Sequence, residues 1–244
     1  MRRLIIERAA IRSNMAVIKE RAQKAALYGV VAGEGGGVGT VRLAQLLRNE
    51  GVTRFGVNSV SEARQLREAG FETEEILMLR STVDREELEQ LVDLSVVCTV
   101  SSVDTGLALN AVAENRSTVA EAHIQVDTGL GFGGFLISEP EKILLAYRSL
   151  PNVALSGIYT QLHAVTGKRQ EITEQLKQFQ QVLEAIHKAG FETGTVHAAG
   201  SFALMHFDDA RLDAVRAGSA VLGRCRRTKG DGLTTVGYGE AAIK

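Results

Sequence analysis

Strand-like and helix-like segments alternate along this 244-residue chain almost without interruption. Short runs rich in β-branched residues predict strands, and stretches with apolar residues at three- and four-residue spacing predict the helices between them. Eight strands are predicted in this way, over 26–31, 54–58, 76–79, 95–100, 121–126, 153–160, 195–199 and 214–221. Strands that are separated by helices run parallel, and eight such units predict a closed (β/α)8 barrel, the TIM-barrel fold. An open Rossmann-type sheet is the alternative.

Helical spacing of apolar residues occurs in eight stretches. The predicted helices cover 11–25, 41–49, 61–69, 85–91, 104–114, 140–149, 171–189 and 202–207. Only two prolines occur and no low-complexity tract interrupts the pattern, so nothing indicates a linker. A chain of this length suits one barrel. We therefore expect residues 1–244 to form a single domain.

Charge and composition argue against several classes of protein. The formal net charge is −1 with acids and bases interspersed, which gives no support for nucleic acid or an anionic membrane as a partner. The basic cluster at 224–229 is interpreted as a solvated loop. No segment approaches the roughly 18 apolar residues of a membrane span, and the N-terminal apolar stretch is too short for a signal peptide. Cys98 and Cys225 do not make a disulfide framework, so we expect a cytoplasmic protein with Cys98 in its core.

Polar and small residues lie at the C-terminal ends of the last predicted strands, where barrel enzymes carry their active sites. Ser201, Gly218 and Ser219 could form an anion site from a hydroxyl and backbone amides, or could only cap helices and close turns. Arg216 has a rigid donor fork that suits a ring nitrogen or a carboxylate. The alternative for Arg216 is an ion pair with an acid such as Asp127.

Two histidines, His163 and His197, also lie at the ends of neighbouring predicted strands. With Asp127 and Glu34 they could form an acid–base or metal cluster, because imidazole and carboxylate groups serve both purposes. The alternative is that each histidine is a hydrogen-bonded structural residue. No close ligand spacing supports a metal site, so none is predicted.

The first strand ends in a glycine-rich loop, Val30-Val31-Ala32-Gly33-Glu34-Gly35-Gly36-Gly37-Val38-Gly39. Glu34 and the glycines after it could wrap a phosphate as a backbone nest, although a carboxylate would repel the anion. The loop resembles the first strand-loop of the alanine racemase family, which reads Val-Val-Lys-Ala-Asn-Ala-Tyr-Gly-His-Gly. In that family the lysine forms a Schiff base with pyridoxal phosphate (PLP), and the tyrosine binds the phosphate. The matching positions here are Ala32 and Gly36.

Three more segments carry the resemblance. Residues 126–131 resemble the family's Val-Asp-Thr-Gly-Met-Gly, residues 197–201 resemble His-Ala-Ala-Asn-Ser, and residues 213–219 resemble Asp-x-Val-Arg-Pro-Gly-Ile. The resemblance runs from about residue 11 to residue 223 and implies the PLP-binding N-terminal barrel of the family. It implies that Ser201 holds the phosphate, that Arg216 donates to the pyridine nitrogen, and that amides after the last strand cradle the phosphate. The implied cofactor-binding positions are His197, Gly200, Ser201, Arg216, Gly218, Ser219 and Gly36.

The departures from the family pattern fall on charged or reactive positions. Besides Ala32, the neutral residues Gln125, Phe132 and Gln161 stand where the family has a lysine, an arginine and a histidine. Alanine racemases continue into a C-terminal β-domain that gives a catalytic tyrosine to the partner subunit. This sequence stops just after 235–243, which resembles the bridge to that domain. We expect a barrel without the β-domain, which is either a single-domain relative or a truncated form of a longer protein, and the resemblance implies a homodimer.

These departures predict a degenerate member of the PLP fold, a pseudoenzyme. It is expected to bind PLP or another small phosphate noncovalently, or only a protein partner, and not to racemise amino acids. The catalytic positions that the prediction singles out are Ala32, Gln161 and His163. One alternative is a PLP-dependent racemase altered at Ala32. Another is a different barrel enzyme that acts on a phosphorylated small molecule through His163, His197 or Asp127.

Overall fold

Strands and helices alternate throughout residues 6–163 and 169–224, which are the residues that this computed structural model describes. The strands in that part are β1 (Ala26–Val30), β2 (Arg54–Val57), β3 (Glu75–Met78), β4 (Cys98–Val100), β5 (Ala120–Asp127), β6 (Phe135–Leu136), β7 (Val153–Thr160), β8 (Thr195–His197) and β9 (Ala214–Ala217). They pair in parallel in the order β3-β2-β1-β9-β8-β7-β5-β4, and β6 lies beside β5.

The two ends of this sheet meet and close a barrel. Leu77 on β3 forms a parallel bridge to Val97, just before β4. The Met78 amide donates to the Val97 carbonyl at 2.9 Å, and the Val97 amide donates to the Ile76 carbonyl at 2.8 Å. An open sheet would leave these edges unpaired. The predicted (β/α)8 barrel is therefore confirmed, and the open-sheet alternative is wrong.

Helices surround the strands and bury their apolar faces against them. In the described part of the chain the α-helices of six residues or more are Arg8–Ala22, Thr40–Asn49, Val60–Glu68, Arg85–Asp93, Val103–Asn115, Pro140–Ser149, Arg169–Lys188 and Ser201–His206. A short helical segment covers Ala32–Gly36, and a 3-10 helix covers Asp208–Ala210. Ser59, Asp84 and Ser102 each cap a helix by accepting a hydrogen bond from an amide of its first turn. The main core lies between this outer layer and the barrel.

Several predicted elements end early for local reasons. The sequence predicts a strand over 214–221, but β9 ends at Ala217 because the next amide, that of Gly218, donates to the Ser201 hydroxyl oxygen. The predicted strand at 95–100 begins only at Cys98, because Ser95 has a φ of 50° and closes the preceding helical segment. The strand β6 is absent from the prediction, since two residues are too few to show a period.

Cys98 is buried, as predicted. Cys225, residues 226–229 of the basic cluster and the segment 235–243 lie outside the described residues. Within residues 6–163 and 169–224, no helix combines the length and the apolar character that crossing a membrane requires.

Candidate functional site

A cavity of about 290 Å³ opens at the C-terminal ends of β1, β7, β8 and β9. Seven of the residues singled out in the sequence line it: Gln161, His163, Gly200, Ser201, Arg216, Gly218 and Ser219. The other lining residues are apolar: Val30, Leu79, Leu162, Phe202 and Ala203. Parallel strands end on the same side of the barrel, which is why residues so far apart in sequence meet here.

Arg216 is the most constrained polar group of the cavity. Its side chain is buried, and Nη1 donates to Nδ1 of His197 while Nη2 donates to the Thr160 carbonyl at 2.8 Å and to Gln161 Oε1 at 2.9 Å. Within the described residues Nε has no hydrogen-bond partner. Burial lowers the pKa of Arg216 to about 10, so the guanidinium is still a cation at neutral pH. Arg216 therefore has one donor left for a ligand.

His197 is fully buried and supports Arg216 instead of lining the cavity. Its ring is stacked between those of Tyr28 and Tyr159, at centroid distances of 5.4 Å and 4.8 Å. Its Nε2 lies 2.9 Å from Nδ1 of His123, a buried residue of β5. Burial, followed by the nearby guanidinium groups, lowers the pKa of both histidines, that of His123 to about 4. Both imidazoles are therefore neutral at pH 7.

His123 is the functional candidate that the sequence reasoning missed, although a signal for it is present. Along β5 the polar residues His123, Gln125 and Asp127 alternate with Ile124 and Val126. A period of two places the three polar side chains on one face of the strand. In this barrel that face carries His123 and Gln125 into the buried interior.

Ser201 joins the loops that follow β8 and β9. Its Oγ accepts hydrogen bonds from the amides of Gly218 at 3.0 Å and Ala220 at 3.1 Å. The Gly218 amide is thus engaged within the protein. Ser219 lines the cavity next to it, and neither its amide nor its hydroxyl has a partner in the described part of the chain. Ser219 is therefore the best-placed donor for an anion on this rim.

The glycine loop after β1 forms a left-handed helical turn. Gly33, Glu34 and Gly35 have φ/ψ values of 65°/49°, 53°/40° and 60°/30°. This conformation costs an L-residue about 1–2 kcal/mol, and glycine avoids most of that cost. The Glu62 carboxylate holds the turn by accepting from the Glu34 amide at 3.2 Å. None of these residues lines the cavity, so a phosphate nest around Glu34, the possibility raised by the sequence, would not face it.

Ala32 and Gly36, which the resemblance places at the lysine and tyrosine positions, also lie outside the cavity lining. A Cβ atom on Gly36 would lie 2.8 Å from Cδ1 of Leu222, and the Gly36 carbonyl accepts from Nη1 of Arg224 at 3.3 Å. The space beside Gly36 is therefore already filled. Among the described residues no lysine lines the cavity.

The four side chains that could have formed an acid–base or metal cluster share no hydrogen bond in the described structure: His163, His197, Asp127 and Glu34. The Asp127 carboxylate accepts instead from the amides of Gly129 at 2.9 Å and Gly131 at 3.1 Å, and so closes its own loop. The ion pair between Asp127 and Arg216 is likewise not formed. Local amides outcompete the longer-range partners because they follow directly in the chain.

His163 remains as the one imidazole that lines the cavity among the described residues. Its amide donates to Oε1 of the buried Gln175 at 2.9 Å, and Gln175 Nε2 donates to Thr128 Oγ1 at 3.2 Å. These bonds fix the backbone at His163. Its Nδ1 is buried and has no partner within the described residues.

The neutral residues Gln125 and Phe132 bring no charge to the site. Nε2 of Gln125 donates to the carbonyls of Phe132 at 3.3 Å and Gly133 at 3.0 Å, and its Oε1 accepts from the Tyr159 hydroxyl at 3.3 Å. The Gln125 amide thus holds a loop and the Tyr159 ring that stacks on His197. The Phe132 side chain is 76% exposed.

Comparison with known proteins shows which family this barrel belongs to. Residues 6–225 match the family model described as alanine racemase, N-terminal domain. The chain belongs to this family. The family membership agrees with the closed barrel and with the position of the cavity at the C-terminal ends of its strands.

Relatives within the alanine racemase family are similar over most of this chain. The alanine racemase of Desulforamulus reducens is 30% identical over 217 residues, which cover 88% of this chain and 58% of that protein. That of Carboxydothermus hydrogenoformans is 32% identical over 216 residues, which cover 87% of this chain and 57% of that protein. The solved structure of alanine racemase from Clostridium difficile 630 in complex with cycloserine superposes with a TM-score of 0.85 at 26% identity, over 93% of this chain and 63% of that chain. The chain therefore spans less than two thirds of the length of these alanine racemases.

Proposed function

We propose that this protein binds PLP, or a related phosphorylated ring compound, noncovalently in the cavity beside Arg216 and does not racemise amino acids. The observation that carries the proposal is the set of hydrogen bonds that the Arg216 guanidinium makes. Its terminal nitrogens are committed to His197, Thr160 and Gln161, and Nε is left for a ligand acceptor such as a ring nitrogen. Membership of the alanine racemase family supports PLP as that ligand.

The donor set fits a noncovalent ligand with a phosphate at one end. Ser219 supplies an amide and a hydroxyl on the rim, and Ser201 shapes the turn that presents them. Apolar walls, including Leu79 and Phe202, suit a planar ring and exclude water. The cavity, of about 290 Å³, is at the small end of the range for ligand sites. When bound, PLP supplies an electron sink for carbanion chemistry.

The same residues do not fit covalent attachment. The methyl group of Ala32 has no amine, and the described cavity lining includes no lysine. Gln161, which accepts from Arg216, is a neutral amide without acid–base capacity. The proposed role of these residues is therefore to bind and orient a ligand.

The test is a calorimetric titration of the purified chain with PLP, with inorganic phosphate as the control ligand. We expect saturable binding of PLP and weak binding of phosphate. Borohydride treatment followed by peptide mass analysis should leave the peptide that contains Ala32 unmodified. Absence of PLP binding, or a covalent adduct in that peptide, would overturn the proposal.

Arg216→Gln provides the matched variant. The loss of a hydrogen bond from a charged donor is worth about 1.5–3 kcal/mol, so the PLP dissociation constant should rise about tenfold or more. Arg85→Gln is the control, because Arg85 is an exposed residue that pairs with Glu89 on a surface helix. It should leave PLP binding unchanged.

A second candidate is supported by the unpartnered Nδ1 of His163. A different barrel enzyme would use this imidazole as a general acid or base on a phosphorylated substrate in the cavity. A turnover screen with small phosphate esters, repeated with His163→Gln, tests the idea. Equal turnover in the two proteins would exclude it.

The quaternary state and location stay predictions. We propose a homodimer, as the resemblance to alanine racemases implies, and sedimentation equilibrium would test it. Fractionation of cells that express the protein would test the predicted cytoplasmic location.

A further inference from the structure

Below the cavity, a column of buried rings crosses the interior of the barrel. His197 is stacked between Tyr28 and Tyr159, with interplanar angles of 25° and 16°. His123 contacts the edge of this stack at a centroid distance of 5.1 Å from His197. Stacking on both faces fixes the plane of the His197 ring. What it leaves open is which of the two ring nitrogens carries the proton.

The hydrogen bonds of the column decide which nitrogen of His197 carries the proton. A guanidinium only donates, so the bond from Arg216 Nη1 makes Nδ1 of His197 an acceptor. A neutral His197 then carries its proton on Nε2 and donates it to Nδ1 of His123 at 2.9 Å. His123 in turn accepts at Nδ1 and carries its own proton on Nε2. The bonds therefore run in one direction, from Arg216 through His197 to His123.

The backbone is shaped to admit His123. The pairing of β5 with β7 shifts register between Ala122 and His123, and His123 comes to lie opposite Gly157. A Cβ atom on Gly157 would lie 2.5 Å from Nε2 of His123. Because real Cβ contacts are longer than this, a larger residue at 157 would displace the imidazole. A glycine at this point thus gives the ring the room that it needs.

We propose that His123 is a positioning residue for the ligand donor of the cavity. By accepting from Nε2 of His197, it stabilises the same His197 tautomer that the bond from Arg216 requires. Arg216 is then held with its terminal nitrogens engaged, and Nε is the donor left for the ligand. The effect on ligand affinity rests on the proposed function, whereas the effect on the His197 tautomer does not.

The charges around His123 favour this arrangement. Arg54 and Arg216 are the cations that act on it, and Tyr28 lies edge-on at a centroid distance of 6.4 Å. Tyr28 itself donates a short hydrogen bond to Glu75, and burial keeps the phenol protonated by raising its pKa. Both cations oppose a second proton on His123. Such a proton would place an N–H against the Nε2–H of His197 and break the bond between the rings.

The test uses imidazole nitrogen NMR of the 15N-labelled protein at pH 7 without ligand. We expect His197 to be the Nε2–H tautomer in the wild type. His123→Phe, which keeps a ring but removes the acceptor, should shift the His197 Nε2 resonance and mix its tautomers. His123→Gln, which keeps an acceptor, should preserve the wild-type signature. His187, an exposed residue that bonds to the buried Thr193, is the internal control and should not change in any of the proteins.

The second part of the test compares the PLP dissociation constants of the wild type and the two His123 variants. His123→Phe should weaken PLP binding about tenfold, the loss expected when one charge-assisted contact is misaligned, and His123→Gln should retain most of the affinity. A wild-type His197 in the Nδ1–H form would overturn the proposal whether or not PLP binds, and so would a folded His123→Phe with unchanged His197 resonances. If the wild type shows the expected tautomer but no PLP binding, the proposed function fails and the role of His123 in orienting Arg216 stands. If His123→Phe does not fold, the wild-type tautomer still decides.

Discussion

Leu222 occupies the space that a side chain on residue 36 would need. A Cβ atom built on Gly36 lies 2.8 Å from Cδ1 of Leu222, and the backbone at Gly36 has a φ of 65°. Only glycine adopts that φ at little cost. The resemblance to alanine racemases places residue 36 at a tyrosine position. Both the backbone conformation and the neighbouring Leu222 thus exclude a side chain there.

We expect Gly36→Ala to lower the free energy of unfolding by about 2–3 kcal/mol, from the left-handed backbone and the displaced Leu222. Gly33→Ala is the matched control, because Gly33 also has a φ of 65° but no atom within 4 Å of its Cβ position. Gly33→Ala should lower the free energy of unfolding only by the cost of the left-handed backbone, about 1–2 kcal/mol. Urea unfolding measures both losses. A double-mutant cycle of Gly36→Ala with Leu222→Ala should give a coupling of about 1 kcal/mol, and no coupling would contradict the steric explanation.

Ala32→Lys should give no measurable racemisation of alanine. The substitution restores an amine at the end of β1, but Gln125, Gln161 and Gly36 stay neutral and the residue lies outside the present cavity lining. Chiral chromatography of alanine after incubation with the variant and PLP measures the outcome, with an active alanine racemase as the positive control. Turnover by the variant would support the alternative of a racemase altered only at Ala32.

The free energy of unfolding should fall as the pH falls from about 6.5 to about 4. In the unfolded chain a histidine binds its proton near pH 6.5, whereas burial and two guanidinium groups lower the pKa of His123 in the fold to about 4. Between these values the unfolded state takes up a proton that the folded state does not, which costs up to about 3 kcal/mol. His197, whose pKa is also lowered, contributes with the same sign.

Urea unfolding at a series of pH values between 7 and 4.5 measures this dependence in the wild type and in His123→Gln. In His123→Gln the free energy of unfolding should depend less steeply on pH, because only His197, and no longer His123, then takes up a proton on unfolding. Identical slopes would show that His123 does not titrate in this range.

Arg67 should be worth several times more to stability than an exposed arginine. Its guanidinium donates to the carbonyls of Leu94 at 2.8 Å, Glu74 at 2.9 Å and Ser95 at 2.9 Å, and also to that of Phe71. Removing the donor leaves these carbonyls unpaired, so we expect Arg67→Ala to cost about 3 kcal/mol in chemical denaturation.

The control for Arg67 is Arg85→Ala. Arg85 forms an exposed pair with Glu89 at i,i+4, which is worth about 0.3–0.5 kcal/mol. Comparable losses in the two variants would mean that the carbonyl contacts of Arg67 contribute little.

The sequence by itself determined the barrel and most of the cavity. Regular β/α alternation requires parallel strands, and parallel strands end on one side, so residues at the C-terminal ends of the predicted strands meet there. Seven of the ten candidate residues, among them Ser201 and Arg216, line one cavity for this reason. The periodicities of two and 3.6 that reveal such elements are local properties of the backbone.

Only the tertiary structure decided which polar groups bond to one another. His123 and His197 lie 74 positions apart, and their contact depends on the register shift opposite Gly157 and on the closed barrel. Asp127, one possible acid–base residue by its position, accepts instead from the amides of its own loop. A hydrogen bond needs atoms within about 3 Å, and sequence spacing does not fix distances of that scale between separate strands.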